Sequence, residues 1–133
     1  MKIMIDANVV ISGFILPDSR IANMIKHIIK YNNLFLCRYV VNEVVDVFTK
    51  KFKKEPKEIV DYMNRISVEI LHLDSFNLSN YPTMPDPDDI EVLANAIEFN
   101  VDILITGDKD FDEVKIDKPR IMKPREYMDE YMI

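Results

Sequence analysis

The stretch Ile103-Leu104-Ile105-Thr106-Gly107-Asp108 decides the fold of this chain. Its apolar residues run without the alternation that a half-exposed strand shows, so the strand they form is covered on both faces. A small polar residue and a glycine close it, and an acid follows at once. Lys2-Ile3-Met4-Ile5-Asp6 has the same shape near the start of the chain: a short apolar run ending in an aspartate. Leu34-Phe35-Leu36-Cys37 predicts another buried strand, Val68 to Leu73 a weakly alternating one, and Arg120-Ile121-Met122 a last short one.

The segments between these strands have helical spacing. Met24, Ile25, Ile28 and Ile29 continue from Ile21 as one apolar face, with Lys26 and Lys30 on the wet side. Val41, Val45, Phe48 and Phe52 trace a second stripe, and Ile59, Val60, Met63 and Ile66 a third after Pro56. Asp86 to Asn100 predicts a helix with Ile90, Leu93, Ala94 and Ile97 turned inward, and a final helical stretch starts near Arg125. Strands that alternate with helices give the α/β class, here a three-layer α/β/α sandwich around a mainly parallel sheet.

Composition narrows the functional classes. At 133 residues the chain is one domain, residues 1–133. Its 17 basic and 23 acidic residues leave a net charge of −6, which argues against a surface coated for general polyanion binding but permits a local basic channel. Cys37 is the single cysteine, so neither an internal disulfide nor a cysteine zinc site is available, and a reducing cytoplasmic setting fits. No apolar run approaches the roughly 18 residues of a membrane span, and Asp6 interrupts the one that a signal peptide would need.

In parallel sheets ligands bind beyond the carboxyl ends of the strands, and acids occupy those ends here. Asp6 ends the first strand and Asp108 follows the strand at Ile103. Asp89 lies in the first turn of the preceding helix, and Glu43 in the first turns of a helix starting near Val40. Brought together, four carboxylates repel one another, and a hard divalent cation such as Mg²⁺ or Mn²⁺ relieves that conflict. Setting five acids of this region aside (these four and Asp86) leaves 18 of the 23 against 17 bases, a nearly neutral remainder. Each acid also has a plain structural account. Asp6 suits an N-cap and Glu43 an exposed helix position, while Gly107-Asp108 suits a turn. Asp86-Pro87-Asp88-Asp89 reads as an N-cap, a proline at N1 and a capping-box partner at N3.

The motifs in order resemble the PIN domain family. Asp6-Ala7-Asn8-Val9-Val10-Ile11-Ser12-Gly13 is similar to the family's opening motif and Asn42-Glu43-Val44-Val45-Asp46-Val47-Phe48 to the segment with its second acid. Asp86 to Ala96 resembles the third acidic motif, and Ile103 to Phe111 the fourth. The resemblance covers almost the whole chain. It implies a compact α/β sandwich and a Mg²⁺- or Mn²⁺-dependent ribonuclease, commonly the toxin of a toxin–antitoxin pair. It places catalytic, metal-holding acids at Asp6, Glu43, Asp89 and Asp108, with Asn8 and Thr106 as supporting polar groups. Asp86 and Asp110 either bind a second metal or cap and brace. Asp46, one helical turn from Glu43, is the alternative second acid.

The chemistry expected of such a site is hydrolysis by water, which leaves a 5′-phosphate and a 3′-hydroxyl. The expected partners are RNA as substrate, an antitoxin protein and a second copy of the chain, and no membrane. The best cation run for RNA is Lys50, Lys51 and Lys53, continued by Lys54 and Lys57, with Arg38 and Lys109 nearer the acids. Its structural reading is a solvated helix end that suits the helix dipole. A PIN-like module without chemistry, serving as a scaffold in RNA processing, is the alternative function. A receiver or an aspartate-nucleophile phosphatase fits less well, because Asn8 stands where such a phosphatase needs its second aspartate. His27 and His72 lack ligand spacing and read as structural or surface groups, and Tyr31 and Tyr39 are expected to be buried. Tyr127, Met128, Tyr131 and Met132 either pack on the domain or cover a partner.

Overall fold

The computed structural model describes residues 1–133. Five strands form one sheet: β1 (Lys2–Ile5), β2 (Asn33–Cys37), β3 (Glu69–Leu71), β4 (Ile103–Ile105) and β5 (Arg120–Met122). Their order is β3-β2-β1-β4-β5 and every pairing is parallel. The unalternating runs are buried as such: Ile3, Met4, Ile5, Leu34, Leu36, Ile103, Leu104 and Ile105 all belong to the core. β3 alternates weakly because it is an edge strand with two of its three residues exposed.

Six helices cover the sheet: α1 (Ala7–Ile15), α2 (Arg20–Tyr31), α3 (Arg38–Lys50), α4 (Pro56–Arg65), α5 (Pro87–Glu98) and α6 (Pro124–Tyr131). From β1 the chain steps through α1 and α2 to β2, then through α3 and α4 to β3, always outward in one direction. α1 packs on α2 and α3, and α3 on α4, as expected of helices sharing a face. The chain then returns through α5, which also touches α3, to β4 on the far side of β1. The order therefore reverses between β1 and β4. Such a switch point opens a crevice at the strands' carboxyl ends.

Several details depart from the sequence pattern. The buried line of α3 is Val40, Val44 and Phe48, one residue behind the expected Val41 and Val45, which are only half-buried. Two adjoining apolar lines exist on this helix, and packing against the sheet selects the deeper one. Phe52 falls beyond the end of α3 and is exposed, as is Val60 on α4. Tyr31 is 63% exposed rather than buried. It is the last residue of α2, and its ring leans on His27 while the Lys30 ammonium sits 5.3 Å from its centroid. Tyr39 is half-buried. Tyr127 and Met128 are in the core, and Tyr131 and Met132 pack against it, so α6 spends its aromatic face on the domain itself. The His27 ring is structural: its Nδ1 lies 3.0 Å from the Tyr127 hydroxyl. Gly13 lets α1 approach α2 closely: a Cβ there would lie 2.5 Å from Ile25 Cδ1, and that side-chain end would have to shift.

Candidate metal centre

The switch point is where the acids gather. β1 and β4 pair Ile5 with Ile105, so the residues just beyond these strands are set side by side. Asp6 caps α1: its Oδ1 accepts from the Ala7 N–H at 2.6 Å. Its Oδ2 accepts from the Thr106 hydroxyl at 2.7 Å. That hydroxyl in turn accepts from the Asp108 N–H at 3.1 Å. Thr106, 1% exposed, thus ties the end of β1 to the loop after β4 through a single oxygen. Asp108 then caps a 3-10 turn at Lys109–Phe111, its Oδ1 accepting from the Asp110 N–H at 2.9 Å. This turn folds Asp110 back beside Asp108.

α5 brings the third acid. Asp86 is its N-cap, accepting from the Asp88 N–H at 3.0 Å, and Pro87 occupies N1. The expected capping box does not form. Asp89 makes no hydrogen bond through its carboxylate, which faces the β4 loop instead. One oxygen from each of Asp89, Asp108 and Asp110 lies within 4.8 Å of the others. α3 supplies Glu43, which is half-buried and close enough to feel Asp6, Asp88, Asp86 and Asp108. Asp46 is exposed on the same helix, so Glu43 is the acid of α3 that faces the others.

The electrostatics match a group of acids without cations. Burial, opposed in part by the Thr106 and Ala7 hydrogen bonds, raises Asp6 above the usual carboxylate range, and the Asp108 charge adds to the rise. Burial, then repulsion from Asp108, Asp86, Asp6 and Asp110, pushes Asp89 up to about 7. Glu43 also reaches about 7, from burial and then from the charges of Asp6, Asp88, Asp86 and Asp108. No lysine or arginine forms an ion pair with any of these carboxylates. All-oxygen, anionic donors at this spacing fit a hard divalent cation, which would replace the missing positive charge.

The remaining expected residues are placed unevenly. Asn8 is exposed in the first turn of α1, without a side-chain hydrogen bond. Lys109 is exposed between Asp108 and Asp110, and Arg38 is exposed as the first residue of α3. Lys50, Lys51 and Lys53 are exposed at and beyond the other end of α3, about 10 Å along the axis from Glu43. Asp88, which the sequence pattern assigned only to a helix start, faces both Glu43 and Tyr39.

A PIN domain family model matches residues 2–110. Among solved structures, the chain is similar to one from the crystal structure of VapBC2 from Rickettsia felis bound to a DNA fragment from their promoter. The TM-score is 0.70 at 18% identity, covering 92% of this chain and 98% of that one. No curated protein matches the sequence closely enough to count as a relative.

Proposed function

This chain belongs to the PIN domain family, and on that premise we propose that it is a Mg²⁺- or Mn²⁺-dependent endoribonuclease. The observation that carries the reading is the convergence at one switch point of acids from four parts of the chain, with no cation paired to them. Asp89, Asp108 and Asp110 would hold the cation, and Asp6 and Glu43 complete the acidic ring. A divalent ion bound there would polarise a phosphodiester and lower the pKa of water beside it.

The chain's own part is positioning. Thr106 fixes the Asp6 carboxylate and the Asp108 backbone in one arrangement, so neither has to reorganise when the substrate arrives. Helix α5 delivers Asp89 with its oxygens unspent, because Asp86 alone serves as the cap. Water would attack phosphorus as the bond to the 3′-oxygen breaks; the proton lost by the water is balanced by the one taken up by the 3′-oxygen, so one fragment ends in a 5′-phosphate and the other in a 3′-hydroxyl. The cellular role this reading carries is that of a toxin restrained by an antitoxin, and the fold shared with the VapBC2 chain supports that partner; self-association of the chain belongs to the same proposal.

The test is calorimetric titration of Mn²⁺ and Mg²⁺ into the wild type and Asp89→Asn, alongside incubation with mixed RNAs and analysis of the ends produced. Saturable binding and cleavage, both lost in the variant, is the expected result. Absence of metal binding by the wild type would overturn the reading.

A further inference from the structure

The acidic edge leaves open how a polyanion approaches it, and the lysine run lies at the end of α3, about 10 Å along the axis from Glu43. A different group of cations adjoins the site. A groove of about 540 Å³ runs beside Gly107, walled by Arg20 from the first turn of α2 and by Lys123 and Arg125 at the start of α6. Lys123 also lines a neighbouring cleft of about 260 Å³ whose wall contains Thr106 and Asp108. The two concavities thus share Lys123, and Gly107 in the wall of one directly precedes Asp108 in the wall of the other. All three cations are exposed. Lys123 lies 3.7 Å from Asp112, whereas Arg20 and Arg125 have no ion-pair partner.

A role in folding does not account for these two arginines. Both stand in the first turn of a helix, where a cation is disfavoured by the helix dipole. Their apolar stems line the groove while their charged heads remain in water. On a chain of net charge −6, three cations around one concavity beside an acidic centre are a local reversal of sign. That reversal suits a ligand with regularly spaced negative charges and a long axis.

We propose that the groove between α2 and α6 holds the phosphates of a single RNA strand through Arg20, Arg125 and Lys123, and so leads the scissile phosphate past Gly107 to Asp108. Arg20 and Arg125 are positioning residues that touch the strand away from the reacting atoms. The inference rests on the ribonuclease reading and names the surface by which that substrate is held.

The test measures binding of a fluorescent single-stranded oligoribonucleotide by anisotropy between about 50 and 200 mM salt. Asp89→Asn serves as the background, so that no strand is cut. Arg20→Glu with Arg125→Glu should fold normally, since an acid at a helix start is favoured. At the lowest salt it should weaken affinity at least tenfold. Loss of two phosphate contacts should lower the salt slope by about 1.4. Lys50→Glu with Lys53→Glu should weaken affinity less than the arginine reversal does. In a wild-type metal-site background, Arg20→Glu with Arg125→Glu should raise KM far more than it lowers kcat. Unaltered RNA affinity in the arginine double variant, with metal-dependent cleavage intact in the wild type, would overturn the groove and leave the ribonuclease reading standing. A poly-glutamate peptide that binds more tightly than RNA, and loses binding on the arginine reversal, would mark a protein-docking surface and equally overturn the proposal. Absence of both RNA binding and cleavage in the wild type would overturn the two readings together.

Discussion

Asp102 and Asp108 flank the same strand, one just before β4 and one just after it, and their surroundings have opposite character. Asp102 accepts from the Lys2 N–H at 2.8 Å, with the Lys118 ammonium at 3.4 Å. The hydrogen bond first, and then Lys118, hold its carboxyl below the usual carboxylate range. At the other end of the strand Asp108 meets Asp6, Asp89, Glu43 and Asp110, and three of these acids gather where no basic side chain is paired with them. Where an acid serves the architecture of this domain, it comes with a donor or a cation. At the acidic edge Asp6 and Asp108 have donors but no cation, and the Asp89 carboxylate has neither; a group of acids left without a cation marks work that folding alone does not explain.

The contrast is broken most directly by mutation on each side. Asp89→Asn or Asp108→Asn should lower RNA cleavage by more than about a hundredfold, beyond the usual cost of losing a group behind a metal ligand. Asp102→Asn should leave the rate within about twofold, as expected for a surface substitution outside the site. Single-turnover cleavage at saturating Mn²⁺ measures both. A loss in Asp102→Asn comparable to the others would end the distinction between the two edges.

Thr106 tests whether the acidic edge is held by its hydrogen bonds. Thr106→Val keeps the shape but removes the hydroxyl that donates to Asp6 and accepts from the Asp108 N–H. The buried Asp6 carboxylate and the part-buried Asp108 N–H then each lose a partner, at a cost of about 1–3 kcal/mol in urea unfolding. Cleavage should fall about 10- to 100-fold as the two acids lose their common brace. Full activity with full stability would show that Thr106 is a bystander.

Metal-free stability should depend on pH in opposite directions at the two edges. The folded-state values of Asp89 and Glu43, both about 7, lie above those of the unfolded chain. The folded protein therefore takes up protons between about pH 7 and pH 4, and stability from these groups rises as pH falls through that window. It is lost again as pH rises through 7. With chelator present, the melting temperature at pH 5.5 should exceed that at pH 8 by a few degrees, on the order of 1 kcal/mol after solvent screening. Asp89→Asn should raise the melting temperature at pH 8 and flatten the profile, and saturating Mn²⁺ should stabilise the wild type at that pH. A flat wild-type profile in chelator would mean that the acids do not strain the fold.

Much of this was legible in the residues. The apolar runs at Ile3, Leu34 and Ile103 announce doubly covered strands, and the acids that follow Ile5 and Thr106 lie at the sheet's binding edge. The family follows from four motifs in order. What was not legible depends on side-chain direction. Whether Asp89 would close a capping box or turn toward Asp108 is decided by the position of the β4 loop, which α5 cannot encode locally. Whether Glu43 or Asp46 faces the acids depends on which of two apolar lines α3 buries. The groove cations were invisible for the same reason, because Arg20 and Arg125 are about a hundred residues apart and meet only through the packing of α6 beside α2.

The smallest effect belongs to the other edge and has the opposite sign. At Asp102 the folded-state value is lowered, so its stabilisation is present above the unfolded carboxylate range near pH 4 and is lost as pH falls through the lowered folded value. Asp102→Asn retains an oxygen that can accept from the Lys2 N–H but loses the attraction to Lys118, a half-exposed partner. It should therefore destabilise the metal-free protein at pH 8 by less than about 1 kcal/mol, the range of an exposed ion pair, while Asp89→Asn stabilises it. Raising the salt should erase the Asp102 effect more readily than the Asp89 effect, because the first is an exposed pair and the second begins with burial. The same amide substitution giving the same sign at both positions would mean that the charge balance of the two edges does not govern how each contributes to the fold.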